Sequence, residues 1–385
     1  MADLNRRSLL RTAGRVGAAA GLTTLGARGA WLAAEPHLGR QTAVLDRELR
    51  IGYLPITDAS ALLVAHQRGL LAAAGLPSAK PVLFRSWDAL AQALSVGAVD
   101  AVHLLMPLAL QLRLGKQVPL KVVAWGHTNG STLTVSDDIT STDQLSGRRL
   151  AMPAWWSIHS VLSQRLLREA GLRPVIGEAA GPGTVELVLM APAEMVAALA
   201  AKSIAGFAVA DPFSAVAEKQ KIGHVHRFLG DVWADHACCA ITVRQDLVDQ
   251  YPQAVQALTN AVVTAQSWLD DHRTEAGALL TGAGFLPQPE PAVSKVFTRT
   301  RAPYATVIEH ADWAPERLGF SAYPHASYTQ ALVDQLRTTT IDGETGFLPA
   351  NAADAHTELV DARFVTTSLQ QAGIPIAARK ELIGS

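Results

Sequence analysis

The sequence predicts an α/β protein of two lobes around a hinged cleft, with mixed sheets and helices on both faces. Three observations predict it. Short apolar runs alternate with helical stretches through most of the chain, the pattern of strand–helix–strand crossovers. The alternation comes in two successive series, the second opening with STLTVS ahead of the polar connector DDITSTDQLSG. The chain then runs back from the second series into a long helical stretch, and two connections between lobes make a hinge that can close on a ligand.

The elements follow in order. LRIGYLP reads as a strand and ASALLVAHQRGLLAAAG as a helix with Gly75 as its stop. PVLFR is a strand, and SWDALAQALSVG a helix capped by Ser86 and ended by Gly97. AVDAVHLL is strand-like, MPLALQLRLG is helical with Pro107 in its first turn, and LKVVAWG is another strand. In the second series STLTVS, RRLAMP, TVELVLM, AGFAVAD and HACCAITVR are strands. SIHSVLSQRLLREAG, PAEMVAALAAKS and FSAVAEKQK are the helices between them. The chain is expected to cross out between residues 133 and 150 and to return near 241–244. Lobe 1 then spans 48–140, lobe 2 spans 141–241, and 242–385 returns to lobe 1 and supplies C-terminal helices. TTTIDGETGFLPAN reads as an exposed loop.

Hydrophobic residues make up 49% of the 385 residues, charged residues 17%, and the net charge is −1. Such a chain buries large cores. It lacks the basic stripe of a nucleic-acid binder, so no nucleic-acid partner is expected, and the protein is read as a monomer. The two cysteines, Cys238 and Cys239, are neighbours, which excludes a disulfide framework. The segment NRRSLLR followed by VGAAAGLTTLGA has the layout of an export signal of the twin-arginine type over residues 1–34. The expected location is periplasmic or cell-surface, soluble after cleavage.

Ligands in open α/β sheets lie beyond the carboxyl ends of the strands. That rule gathers Thr57, Trp87, His103, Ser131, His159 and Asp211 around one cleft. Each has a plain structural alternative. Thr57 and Ser60 can cap the first helix, Trp87 can seat its helix on the sheet, His103 can be a core histidine, and Asp211 can cap the next helix.

The stretches LRIGYLPITDASALLVAHQRGLLAAAGL, RSWDALAQALSVGAVDAVHLLMPLAL, HTNGSTLTVS and GFAVADPFSAVAE resemble the solute-binding proteins of ABC importers, most of all the nitrate/bicarbonate branch beside the sulfonate binders. The resemblance covers residues 49–272, with weaker likeness around Tyr323. It implies a type II-like periplasmic binding protein that captures a small anion or polar solute and hands it to a membrane permease with its ATPase, without a cofactor. It also implies that Trp87 and His159 line the pocket. Helix N-termini, with their free N–H groups, suit such anions. The chain departs from the branch at two places. Asn129-Gly130-Ser131 stands where those binders read N-G-Q, and His236 is followed by Ala237-Cys238-Cys239 instead of P-E-K. The pocket is therefore expected to be altered toward another small anion or polar molecule.

Two rival readings follow from the residues. His224, His226, His236, Cys238 and Cys239 lie close in sequence, and imidazoles with thiolates are transition-metal ligands. Neighbours in a strand point to opposite faces, however, so Cys238 and Cys239 are not expected to serve one ion and no metal site is assigned. The chain shows no nucleophile elbow, zincin helix or phosphate loop, so no catalytic residue is assigned. A ligand sensor of the same fold, or an enzyme related to pyrimidine-precursor synthases, remains the alternative.

Overall fold

Two sheets divide the strands of this protein, whose computed structural model describes residues 44–384. The first holds β1 (Ile51–Tyr53), β2 (Val82–Leu83), β3 (Ala101–Leu105), β4 (Leu120–Trp125) and β11 (Cys239–Arg244) in the order β2-β1-β3-β11-β4. The second holds β5 (Ser131–Val135), β6 (Arg149–Met152), β7 (Arg173–Val175), β8 (Thr184–Leu189), β9 (Gly206–Ala210) and β10 (His224–Phe228) in the order β10-β5-β9-β6-β8-β7. Both are mixed. β11 runs antiparallel to β3 and β4, and β5 runs antiparallel to β9 and β10, while the remaining pairs are parallel. Helices connect most of the parallel strands, as crossovers require, while β7 passes to its parallel neighbour β8 through the irregular stretch 176–183. The two-lobed α/β fold is as expected.

The crossing points lie earlier than expected. The chain leaves the first sheet after Trp125 and enters the second at Ser131. It returns between Phe228 and Cys239. STLTVS thus opens lobe 2 instead of closing lobe 1, and HACCAITVR belongs to lobe 1. The connector DDITSTDQLSG misled the reading because it is a polar loop inside one sheet, between β5 and β6, with no change of sheet. The real crossing, residues 126–130, is short and mostly buried. The two lobes pack closely enough that the described residues form one compact unit. The export-signal segment lies outside the described residues.

Local chemistry explains the elements near the cleft. Ser86 caps the helix Trp87–Ser95, accepting from the Ala89 N–H at 3.3 Å. Ser157 caps Ile158–Glu169 by accepting from Ser160 at 3.1 Å, which fixes His159 in the first turn. Beyond β11 the chain is largely helical, and the helices Ala352–Leu359 and Arg363–Gln371 pack against β4 of the first sheet. The stretch from 338 to 351 is without regular structure.

Candidate functional site

A group of polar side chains is fully buried where the carboxyl ends of β1 and β4 meet the start of β5. Asp58 follows β1 in the one-turn helix Thr57–Ala59. His127 follows β4, and Cys238 and Cys239 enter β11, whose antiparallel start lies level with the end of β3. His103 lies within β3, His159 comes from the lobe 2 helix, and His236 precedes the cysteines. The backbone around them is held firmly. The Cys238 carbonyl accepts from Met106 at 2.9 Å and the Cys239 carbonyl from Gly126 at 3.1 Å. The buried Tyr328 hydroxyl donates to the Ala237 carbonyl at 2.6 Å. Gln266 donates to the Trp125 and Gly126 carbonyls at 3.0 and 2.9 Å, fixing the approach to His127. Gly130 has φ +78°, and a Cβ there would meet Leu318 at 2.5 Å and Asp58 Oδ1 at 3.3 Å, so only glycine fits.

The side chains converge without satisfying one another. Asp58 Oδ2 and His127 Nε2 stand 3.0 Å apart, yet the ring N–H does not point at the oxygen, and neither residue makes a hydrogen bond with its side chain. Cys238 Sγ lies 3.6 Å from Cys239 Sγ and 3.7 Å from His159 Nε2. Ser131 Oγ holds that same His159 nitrogen at 3.0 Å. Both ring nitrogens of His103 and Nε2 of His236 are also without partners. Burying polar groups without partners is costly unless something completes them.

Burial raises the Asp58 pKa to about 7, opposed by His127. Burial works against the His127 imidazolium, but Asp58 and then Cys238 more than offset it, lifting its pKa to about 10. Burial drops His103 to about 3 and His236 to about 4, so both are neutral. Burial penalises the Cys238 thiolate, while the Cys239 thiol and the His159 and His127 rings bring its pKa well below the ordinary value. Burial and the neighbouring Cys238 raise Cys239 well above it.

The residues anticipated from sequence divide into two groups. His103, Ser131 and His159 stand in or against this cluster. Thr57 and Asp211 do not aim at it. The Thr57 N–H and hydroxyl both donate to the Asp211 carbonyl, at 2.9 and 3.0 Å, tying lobe 1 to lobe 2. The Asp211 carboxylate is taken by Arg299, at 2.7 and 3.2 Å, and by Ser214. Trp87 is buried at the head of its helix, with its indole N–H unpartnered. His224 and His226 are not part of the group: His226 Nε2 pairs with Thr142 Oγ1 at 2.9 Å, and His224 lies 3.7 Å from the exposed Asp137. The two cysteines do share a site, because β11 begins at Cys239 and strand alternation does not govern Cys238. Asp58 and His127 were passed over, although both sit just past strand ends, where the rule that chose the other candidates also applies.

A family model described as NMT1-like matches residues 43–280. The chain belongs to the NMT1-like family. It is 26% identical over 304 residues to the nitrate/nitrite binding protein NrtA of Nostoc sp., covering 70% of this chain and 68% of that protein. It spans little more than half of other nitrate/nitrite binding relatives. Among solved structures, the periplasmic nitrate-binding protein NrtA from Synechocystis superposes with TM-score 0.73 at 22% identity, covering 85% of this chain and 89% of that one. The ligand-binding component of an ABC-type import system from Staphylococcus aureus, with zinc bound, superposes with TM-score 0.68 at 23% identity, covering 84% and 99%. These structures share the solute-binding fold with this NMT1-like chain.

Proposed function

We propose that this protein is the extracytoplasmic solute-binding component of an ABC importer, enclosing a small solute between its lobes and presenting it to a membrane permease coupled to an ATPase. One observation carries the reading: side chains from both lobes converge, fully buried and lacking partners, at the carboxyl ends of the strands. A protein gains nothing from such a group unless a ligand completes it. The relatives with this fold include a nitrate/nitrite binding protein and a component of an ABC-type import system. Export follows from the same reading and from the sequence of residues 1–34. Among the described residues no helix is long and apolar enough to cross a membrane.

Size limits the affinity. At about −1.5 kcal/mol per heavy atom, a four-atom solute such as nitrate reaches roughly −6 kcal/mol, or tens of micromolar, so few donors can be wasted. The test is a thermal-shift series against nitrate, nitrite, bicarbonate, cyanate, alkanesulfonates and divalent metals, with X-ray scattering to follow lobe closure. A solute held a hundredfold above its dissociation constant stabilises by about 2.7 kcal/mol and compacts the protein. His159→Ala, which removes the lobe 2 contact, is expected to lower unliganded melting modestly and to weaken the ligand-induced shift measured against that lower baseline. No shift with any solute, or binding without compaction, sinks the receptor reading.

A further inference from the structure

The geometry points to Asp58, His127, Cys238 and Cys239 as the four donors of a tetrahedral site for a borderline-soft divalent transition-metal ion of the Zn²⁺ type. The inference rests on the receptor reading for its role in transport, since it names the class of solute, but the site itself stands on the donors. One oxygen, one imidazole nitrogen and two sulfurs lie within 4.8 Å of one another, all fully buried. A tetrahedral Zn²⁺ with bonds of about 2.0–2.3 Å has donor–donor edges of roughly 3.3–3.8 Å. The Cys238–Cys239 edge of 3.6 Å and the Asp58–His127 edge of 3.0 Å already approach that shape. The longest edge needs to shorten by no more than about 1.3 Å.

The orphaned atoms give independent support. Neither Asp58 oxygen and neither His127 nitrogen has a hydrogen bond, although both residues are fully enclosed. Misalignment at a short distance is expected of two groups aimed at a common third atom. The donor set also suits a cation. Two thiols and a carboxylate, enclosed together, become excellent metal ligands once deprotonated. Sulfur donors select Zn²⁺ or Cu(I) and disfavour Mg²⁺ and Ca²⁺, which take oxygen. His159, held by Ser131 and 3.7 Å from Cys238 Sγ, is placed to orient that thiolate. The zinc-bound Staphylococcus protein shares only the fold at 23% identity, so the donors here stand on their own geometry.

The test uses the full chain, reduced and stripped with a chelator, titrated with Co²⁺ and Zn²⁺ beside Mg²⁺ and Ca²⁺. Expected are one Co²⁺ per chain, intense visible ligand-field bands of tetrahedral cobalt, a near-ultraviolet thiolate-to-metal band, and displacement by Zn²⁺. Cys238→Ser is expected to weaken the thiolate band, Cys238→Ser/Cys239→Ser to abolish it and Asp58→Asn to keep it, each weakening binding by at least about tenfold. The inference is overturned if the thiolate band is absent, if Ca²⁺ competes equally, or if the Cys238→Ser/Cys239→Ser double variant binds Zn²⁺ as tightly as the parent. A thermal shift with nitrate or bicarbonate but none with Zn²⁺ also overturns it, leaving the receptor reading intact. Tight Zn²⁺ binding without compaction in scattering keeps the site and sinks the receptor reading.

Discussion

Two buried acid–base pairs lie near the junction of the lobes, and they differ in one respect. Asp211 and Arg299 are 1% exposed or less, and both carboxylate oxygens are occupied, by two guanidinium nitrogens and by Ser214. Asp58 and His127 are equally enclosed and equally close, yet their side chains make no hydrogen bond. The first pair is complete within the protein and holds it together. The second is incomplete and waits for a guest. Burial and residue type do not separate structural from functional groups here; satisfaction does.

That contrast can be broken experimentally. The largest effect is expected at the complete pair: Arg299→Met leaves Asp211 buried without its partner and should cost about 3–5 kcal/mol, read as a large drop in melting temperature. A small drop would mean that the pair contributes little and that the contrast is mistaken. Gly130 touches both pairs, since its carbonyl accepts from the Asp211 N–H at 2.9 Å and its Cα neighbours Asp58. Gly130→Ala forces a side chain into a left-handed backbone against Leu318 and is expected to cost roughly 1–3 kcal/mol, with ligand binding impaired as well. Normal binding in that variant would show that the crossing segment does not shape the site. The smallest effect on stability is expected for Asp58→Asn in metal-free protein, where the neutral amide removes an uncompleted buried acid. Melting should be unchanged or slightly higher, and a large loss would place Asp58 with the structural pairs.

Much of this was legible in the sequence. Apolar runs of the right length gave the strands, and Ser86 marked a helix start by a local bond that needs no tertiary knowledge. Ser131 and His159, both candidates by their position in the sequence, meet at 3.0 Å. What escaped depends on contacts far apart in the chain. Arg299 lies 88 residues from Asp211, and nothing local announces that it would claim that carboxylate. The lobe crossing was misplaced because a buried five-residue connection carries fewer turn signals than the polar loop inside lobe 2. The pairing of the cysteines escaped because the strand begins only at Cys239, so Cys238 lies outside the alternation that the apolar run suggests.

The end of the chain bears on how the lobes part. Ile383 bridges to Trp233 in the returning connection, and the Gly384 carbonyl accepts from Arg165 on a lobe 2 helix. Glu381 takes the Trp233 indole N–H and the Ser327 hydroxyl. This last stretch is a tether laid across the back of the joint. If the mouth gapes to admit a solute, it must pivot about these bonds or shed them, so cutting the tether would alter the swing while leaving the grip untouched.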